Sequence, residues 1–433
     1  MAEPWKGGVV EGWPFNLSTV LAFRRSSLLR NASVLFAGQA LGLVVPLLTV
    51  PYLARVLGPA GWGPVLAAQA LGNWLLLILE FGFELSGTRA VARARVAPQS
   101  MADVVHGVQS AKILLVAGAS AVLVAAMVAS PALRQNTVLV LWTFAFAILR
   151  GLSPIWFYQG IERVRGAVTV DTVSRVAASL GVFLVVRGPG DGWWVLALQA
   201  IFAGVSLAVL TAWLARDVAL RTPTVEAAVR TLREGSSIFA CRAWSGLYIQ
   251  GNTLILSALA GPAIVGFFGG AERLVRAAIN LFQPLTQAFL PRVSYLHAAD
   301  PPAARRTIRR ALVGVGLLGA AMGAVAFAGA PLLVHVLLGR AYEQSIPVLR
   351  SMAFLPFLVA VNTVLGLYWA LPFGHERSFL ASIVAAGLTN VALALVLVPR
   401  LGATGMALSA VAAEVAVLAF LGTKYVQYVR HEQ

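Results

Sequence analysis

Polar residues interrupt one apolar segment of this chain at helical intervals. Five long polar side chains between positions 261 and 292 stand three or four residues apart: Arg273, Arg276, Asn280, Gln283 and Gln287. At about 100° per residue they share one helix face, within an arc of about 80°. An arginine that faces lipid near the bilayer centre costs at least ~2.5 kcal/mol. The pattern therefore predicts a membrane-spanning helix over 264–290 whose polar face lines a protein cavity.

The same design recurs nearer the start of the chain. A shift of 203 residues places Leu53, Gly58, Pro59, Ala60 and Gly63 on the identical Leu256, Gly261, Pro262, Ala263 and Gly266. The same shift aligns Gln69, Asn73, Glu80 and Glu84 with Glu272, Arg276, Gln283 and Gln287. The polar stripe of the first helix carries acidic residues, whereas that of the second carries basic residues. We interpret the match as an internal duplication that gives each half of the chain an equivalent polar helix.

Apolar segments close to the ~20 residues of a bilayer crossing follow one another along the chain. They lie at about 33–55, 62–86, 108–130, 137–158, 167–187, 193–215, 236–259, 264–290, 311–338, 347–371, 377–398 and 403–427. These segments predict an all-α integral membrane protein of about twelve transmembrane helices, six in each half. Because six is even, the halves share one orientation and are related by a pseudo-two-fold axis along the membrane normal.

The domain boundaries follow from the same segments. We predict a cytoplasmic tail over 1–30, an N-terminal six-helix bundle over 31–216, a cytoplasmic linker over 217–235 and a C-terminal six-helix bundle over 236–433. Most of the 33 Lys and Arg residues, Arg163 and Arg175 among them, then fall on the side that holds the N-terminus. By the positive-inside rule, both termini are expected in the cytoplasm.

Composition agrees with this class of protein. Of 433 residues, 59% are hydrophobic and only 12% are charged, whereas an ordinary soluble protein has about 25% charged residues. The net charge of +16 is spread among apolar spans, so we expect no nucleic-acid partner. The predicted outer loops are short, and Cys241 is the single cysteine. We therefore expect no catalytic residues, metal or cofactor.

Several segments resemble one family of transporters. The segments are Pro51–Gly58 with Trp62 and Gly63, Glu80–Arg89, Pro154–Glu162, Val265–Phe268 with Ala271–Arg273, and Gln287–Ser294. They are similar to the helix ends of Wzx-type polysaccharide and O-antigen flippases, in order and along most of the chain. These flippases are the polysaccharide transporter branch of the multidrug/oligosaccharidyl-lipid/polysaccharide exporter superfamily.

The resemblance implies two six-helix bundles in a V shape around a central cavity. It also implies that the chain moves an undecaprenyl-diphosphate-linked oligosaccharide from the cytoplasmic to the periplasmic leaflet of a bacterial inner membrane by alternating access. The expected partners are this lipid-linked diphosphate, membrane lipids, H⁺ or Na⁺ as coupling ion, and polysaccharide polymerase machinery. The expected substrate-binding residues are Arg273, Arg276, Arg150, Arg242, Asn280, Gln283, Gln287 and Asn73. The arginines are included because guanidinium groups bind phosphate through paired hydrogen bonds.

The acidic residues have two interpretations each. Glu80, Glu84, Glu272 and Glu414 are candidates for ion coupling or gating. Glu272 and Arg276, four residues apart, also have the spacing of an intrahelical ion pair. Glu414 stands in a span without an obvious local partner. The sequence also leaves open a multidrug or small-molecule exporter of the same superfamily, an integral-membrane enzyme of glycan assembly, and an uncoupled scramblase.

The predicted topology can be tested with reporter fusions. A fusion at Gln433 should report a cytoplasmic location, and one in the loop at Gly188–Gly192 should report a periplasmic location. A periplasmic signal at Gln433 would contradict the twelve-span arrangement.

Overall fold

A computed structural model describes residues 27–95, 98–129 and 134–431, and nearly all of them are helical. The first group of helices is α1 (Ser27–Glu80), α2 (Phe83–Ala94), α3 (Pro98–Ala129), α4 (Thr137–Gly151), α5 (Ile155–Gly160), α6 (Val164–Val185) and α7 (Gly192–Asp217). The second group is α8 (Val225–Leu259), α9 (Pro262–Asn280), α10 (Gln283–Ala299), α11 (Pro301–Ala328), α12 (Ala330–Leu333), α13 (Ser345–Met352), α14 (Leu355–Thr363) and α15 (Glu376–His431). Helices α12 and α14 continue as short π-helices over Val334–Leu338 and Val364–Ala370. Of the predicted tail at 1–30, only residues 27–30 are within the described part of the chain.

Eight helical segments in the described residues are long and apolar enough to cross a membrane. Two of them, Leu48–Ala94 and Glu376–Arg430, are 47 and 55 residues long. At ~1.5 Å per residue each exceeds twice the ~30 Å thickness of the hydrocarbon core. Each also contains a glycine with non-helical dihedral angles, Gly58 at φ 66° and Gly402 at φ 57°. The chain is therefore a multi-pass, all-helical membrane protein.

The two polar helices predicted from the duplication both end earlier than expected. Helix α1 stops at Glu80, and Phe81 and Gly82 take positive φ angles of 46° and 77° before α2 begins. The helix predicted over 264–290 is also wrong as one element, because α9 ends at Asn280 and α10 begins at Gln283. Pro284 lacks the N–H that would continue the hydrogen-bond ladder to Asn280.

Helices α1 and α9 cross where residues 59–63 meet residues 262–266, two segments that the 203-residue shift aligns. A Cβ atom at Gly63 would lie 1.8 Å from the carbonyl oxygen of Pro262, and one at Gly266 would lie 2.2 Å from that of Pro59. Any side chain larger than hydrogen would force the backbones apart. The contact is reciprocal: the glycine of α1 meets the proline of α9, and the glycine of α9 meets the proline of α1.

A large hydrophobic cluster surrounds this crossing, and we call this part of the molecule the closed end. Its fully buried members include Trp62 from α1, Phe268 from α9 and Tyr342 from the turn after α12. The rings of Trp62 and Tyr342 meet edge to face, with centroids 6.1 Å apart. Gly63 and Gly266 are themselves buried, whereas Pro262 is exposed, so the cluster covers the inner side of the crossing.

Separate clusters form away from the closed end. One contains Phe83, Trp156 and Leu214 from the first group of helices, and another contains Phe282, Val293 and Trp369 from the second group. The segment predicted as a linker at 217–235 is helical from Val225 onward, as the start of α8. Thr224 caps that helix, since its side chain accepts a hydrogen bond from the backbone N–H of Ala227.

The glycine crossing generates a prediction about stability. Gly63→Ala or Gly266→Ala should lower the free energy of unfolding by about 1–3 kcal/mol, because the new methyl group overlaps a backbone oxygen. Thermal unfolding of the purified protein in detergent measures the change. Gly387→Ala is the matched control: it is a helical glycine whose added Cβ would meet no atom within 4 Å. Equal melting temperatures for all three variants would show that the close glycine contact does not limit stability.

Candidate binding cavity

A cavity of about 610 Å³ opens between helices α1, α4, α6, α7, α8 and α9, next to the closed end. Its charged lining residues are Arg150, Asp171, Arg175, Glu272, Arg273 and Arg276. Four arginines and two carboxylates give this lining a formal charge of +2. Its neutral polar lining includes Gln69, Asn73, Gln199, Ser174 and Ser179. The cavity can therefore receive an anion together with hydroxyl-bearing groups.

The first charge cluster consists of Glu272, Arg273 and Arg276 on α9. The Nε and Nη2 atoms of Arg276 donate to Glu272 Oε1 at 3.1 and 2.7 Å. The hydroxyl of Thr253, on α8, donates to the other carboxylate oxygen at 3.2 Å. The intrahelical pair expected between Glu272 and Arg276 is thus present. The Arg276 side chain stays 42% exposed, so it can still reach a ligand.

Arg273 connects α9 to α1. Its Nη2 donates to Gln69 Oε1 at 2.5 Å, and its guanidinium carbon lies 5.2 Å from the centre of the Trp62 ring. Gln69 is the repeat equivalent of Glu272, so equivalent positions in the two repeats accept hydrogen bonds from neighbouring arginines. A guanidinium over an indole ring gains a further cation–π attraction. This contact joins the two polar helices one to two turns below the glycine crossing.

The second charge cluster consists of Arg150 on α4 and Asp171 and Arg175 on α6. Nη1 and Nη2 of Arg150 donate to Oδ1 and Oδ2 of the Asp171 carboxylate, the latter at 3.2 Å. Nη2 of Arg175 approaches the same Oδ2 at 2.7 Å. Asp171 is 2% exposed, whereas Arg150 and Arg175 are 22% and 61% exposed. One buried carboxylate therefore holds two guanidinium groups at the cavity wall.

The remaining predicted binding residues fall in different places. Asn73 lines the cavity. Asn280 and Gln283 are exposed at the break between α9 and α10 and are outside the cavity lining defined by the described residues. The side chains of Arg242 and Gln287 lie outside the described part of the structure, so their role stays a prediction.

The four acidic candidates lie in three regions: Glu272 in the cavity, Glu80 and Glu84 near Lys112, and Glu414 beside Asn362. Glu80 ends α1, and Glu84 is exposed in the first turn of α2. Both interact electrostatically with Lys112, a residue on α3 that is 4% exposed. The ammonium group of Lys112 donates to the carbonyl oxygens of Gly151 and Ser153 at 2.5 and 3.1 Å. This lysine neutralises the C-terminal end of α4, where the helix dipole is negative.

Glu414, on α15, has a partner that the sequence did not indicate. The side-chain amide of Asn362, on α14, donates to the backbone oxygen of Glu414 at 2.9 Å and to its Oε2 at 2.6 Å. Asn362 is 7% exposed and Glu414 is partly buried, so the contact lies between the two helices. The sequence shows no local partner for Glu414, because Asn362 lies 52 residues away in the chain.

Asp171 is not among the predicted site residues, and Arg175 is predicted on the cytoplasmic side. Both lie on one face of α6 that lines the cavity, together with Ser174, Ala178 and Ser179. The spacing of these polar positions within the predicted span at 167–187 was the available signal. The pairing of Asp171 with Arg150 has no sequence signal, because the two residues belong to different helices.

The contact between Arg273 and Gln69 generates a prediction. Gln69→Leu should lower the free energy of unfolding by about 1–3 kcal/mol, because it leaves a half-buried guanidinium without its acceptor. Gln69→Glu should act in the opposite direction, since it supplies a charged acceptor at the same place. Melting temperatures in detergent test both variants. Gln344→Leu, at an exposed glutamine outside the cavity, is the control, and a Gln69→Leu variant that matches it would contradict the prediction.

Comparisons with known proteins agree with this architecture. The chain is 28% identical over 395 residues to "Putative O-antigen transporter" of Escherichia coli (strain K12), with 90% of this chain and 94% of that protein covered. The solved structure "Lipid II flippase MurJ, inward closed conformation" matches with a TM-score of 0.67 at 11% identity, covering 92% of this chain and 87% of that one. An inward-facing multidrug resistance MATE family transporter of the MOP superfamily matches with a TM-score of 0.64 at 15% identity, covering 88% and 93%.

At these low identities the solved structures establish a shared fold. Residues 28–297, more than half of the chain, match the family described as "Polysaccharide biosynthesis protein". The chain thus has the fold of the MurJ and MATE transporters, and it belongs to the polysaccharide biosynthesis protein family.

Proposed function

We propose that this protein is a flippase that moves an undecaprenyl-diphosphate-linked oligosaccharide from the cytoplasmic to the periplasmic leaflet of the bacterial inner membrane. The observation that carries the proposal is the arginine-lined cavity between the two polar helices. A diphosphate carries negative charge and cannot cross hydrocarbon without a replacement for its hydration. Guanidinium groups supply that replacement through paired, charge-assisted hydrogen bonds.

The depth of the first charge cluster supports this assignment. Arg273 and Arg276 stand seven and ten residues beyond Gly266 on α9. At ~1.5 Å per residue, they lie about 10 and 15 Å below the glycine crossing. Arginines at this depth are costly unless they meet protein, water or an anion. The +2 lining favours an anionic substrate over the cationic drugs that an acidic cavity would bind.

The outward direction can be argued from the loops at the closed end. An added Cβ at Gly61 would lie 3.0 Å from the oxygen of Pro189, and one at Gly339 would lie 3.4 Å from Arg55. Residues 189 and 339 belong to the loops with few positive charges, which the positive-inside rule assigns to the periplasm. We infer that the closed end faces the periplasm, that twelve helices form two six-helix bundles, and that both termini are cytoplasmic. Opening of the glycine crossing would then be the outward step of alternating access.

Ion coupling belongs to the same proposal. We assign four acidic residues to coupling by H⁺ or Na⁺, or to gating: Glu272 in the cavity, Glu414 beside Asn362, and Glu80 and Glu84 near Lys112. The remaining proposed partners are membrane lipids and the machinery that polymerises the exported glycan.

Substitution of the first cluster tests the function. Arg273→Ala or Arg276→Ala should reduce glycan export about tenfold to hundredfold, because each removes a charge-assisted contact to the diphosphate. Arg276→Lys should rescue export only in part, since lysine keeps the charge but loses the planar fork. Surface polysaccharide and accumulated lipid-linked precursor, measured in cells without the native gene, give the readout.

Two controls separate binding from folding. Arg216→Ala, at an exposed residue in the last turn of α7, should leave export unchanged. The amount of membrane-inserted protein should be equal in all variants. If Arg276→Ala exports normally while Glu272→Ala lowers the amount of folded protein, the pair is structural and the diphosphate binds elsewhere.

A further inference from the structure

The cavity contains two charge clusters of the same composition. Arg273 and Arg276 share the first cluster with Glu272, and Arg150 and Arg175 share the second with Asp171. Each cluster has two guanidinium groups and one carboxylate, so each carries a formal charge of +1. The proposed function places the diphosphate at the first cluster. The second cluster is therefore available for another anionic group.

The surroundings of the second cluster indicate what that group is attached to. Ser174 and Ser179 flank Arg175 on the cavity face of α6, and Gln199 lies on the neighbouring wall formed by α7. Neutral hydroxyl and amide groups of this kind donate to and accept from sugar hydroxyls. An anionic site beside such groups has the chemistry of an acidic sugar.

We propose that Arg150 and Arg175 form a second anion subsite, which binds a carboxylate or phosphate carried by the glycan. This proposal rests on the proposed function, because it takes the diphosphate to occupy the first cluster. Asp171 serves as the internal anion of this cluster: its two oxygens hold both guanidinium groups in place. The glycan anion joins Arg175 from the exposed side, while Asp171 keeps Arg150 oriented from the buried side.

The geometry supports Asp171 as a positioning residue. Its side chain is 2% exposed and its carboxylate oxygens are engaged by both arginines, whereas the side chain of Arg175 is 61% exposed. Arg175 lies ten residues before the end of α6 at Val185. At ~1.5 Å per residue, that is about 15 Å from the end of the helix, a depth similar to that of Arg276. A substrate that fills the cavity can therefore meet both clusters at once.

Binding measurements on the full-length protein in nanodiscs test the second subsite. The probes are trigalacturonate, neutral maltotriose, a sugar phosphate such as glucose 6-phosphate, and inorganic pyrophosphate, each titrated calorimetrically. Arg175→Ala should weaken trigalacturonate binding about tenfold and change pyrophosphate affinity less than twofold. Arg276→Ala should do the reverse. Maltotriose should bind more weakly than trigalacturonate to the wild type and should not respond to Arg175→Ala.

Matched variants keep the result interpretable. Arg163→Ala removes an exposed arginine that also pairs with an aspartate, Asp217, but lies outside the cavity, so it should change neither affinity. Asp171→Asn should strengthen binding of the acidic probes, because it removes the competing charge, and Arg175→Lys should restore part of the loss. A stronger effect on trigalacturonate than on glucose 6-phosphate identifies a carboxylate as the preferred group, and the opposite order identifies a phosphate.

Two results would overturn the second subsite. If Arg175→Ala weakens pyrophosphate as much as Arg276→Ala does, both clusters bind one diphosphate. If Arg175→Ala leaves both acidic sugar probes unaffected while Arg276→Ala abolishes pyrophosphate binding, the flippase proposal stands without a second subsite. Loss of neither affinity in the Arg276→Ala variant would instead count against the proposed function itself.

Discussion

A guanidinium group inside a membrane-spanning bundle must have a partner, and the polar interior of this protein follows from that constraint. An unpaired buried ion costs several kcal/mol, so each cavity arginine is placed beside an acceptor. Arg276 meets Glu272, Arg273 meets Gln69, and Arg150 and Arg175 share Asp171. Two of these contacts, Arg273 with Gln69 and Arg150 with Asp171, connect different helices, and the other two lie within one helix.

The partners also determine how strongly the cavity can hold an anion. A carboxylate beside an arginine lowers the positive potential that a phosphate experiences, but it also keeps the guanidinium in one orientation. A transporter must release what it binds, so a fully uncompensated set of four arginines would be a disadvantage. The partial neutralisation by Glu272 and Asp171 is consistent with a site that binds an anion reversibly.

Hydropathy and helical periodicity predicted most of the fold and part of the site. The apolar spans, the polar face of α9 and the pair of Glu272 with Arg276 all depend on residues close in sequence. The break at Leu281 and Phe282 was missed, because the polar stripe continues at helical spacing across it to Gln283 and Gln287. The contacts of Arg150 with Asp171 and of Asn362 with Glu414 were also beyond sequence reasoning, since each joins two helices far apart in the chain.

The reciprocal contacts of Gly63 with Pro262 and of Gly266 with Pro59 have the form of an isologous interface, as in a symmetric homodimer. In a true homodimer, every charge near the axis would face an identical charge, and two copies of Arg276 would repel each other. Here both sides of the axis belong to one chain, so their sequences can differ. The glycines at the axis are the same on both sides, whereas Asn73 stands where the other side has Arg276. A symmetric glycine contact can therefore stand beside a cavity whose two walls differ in their chemistry.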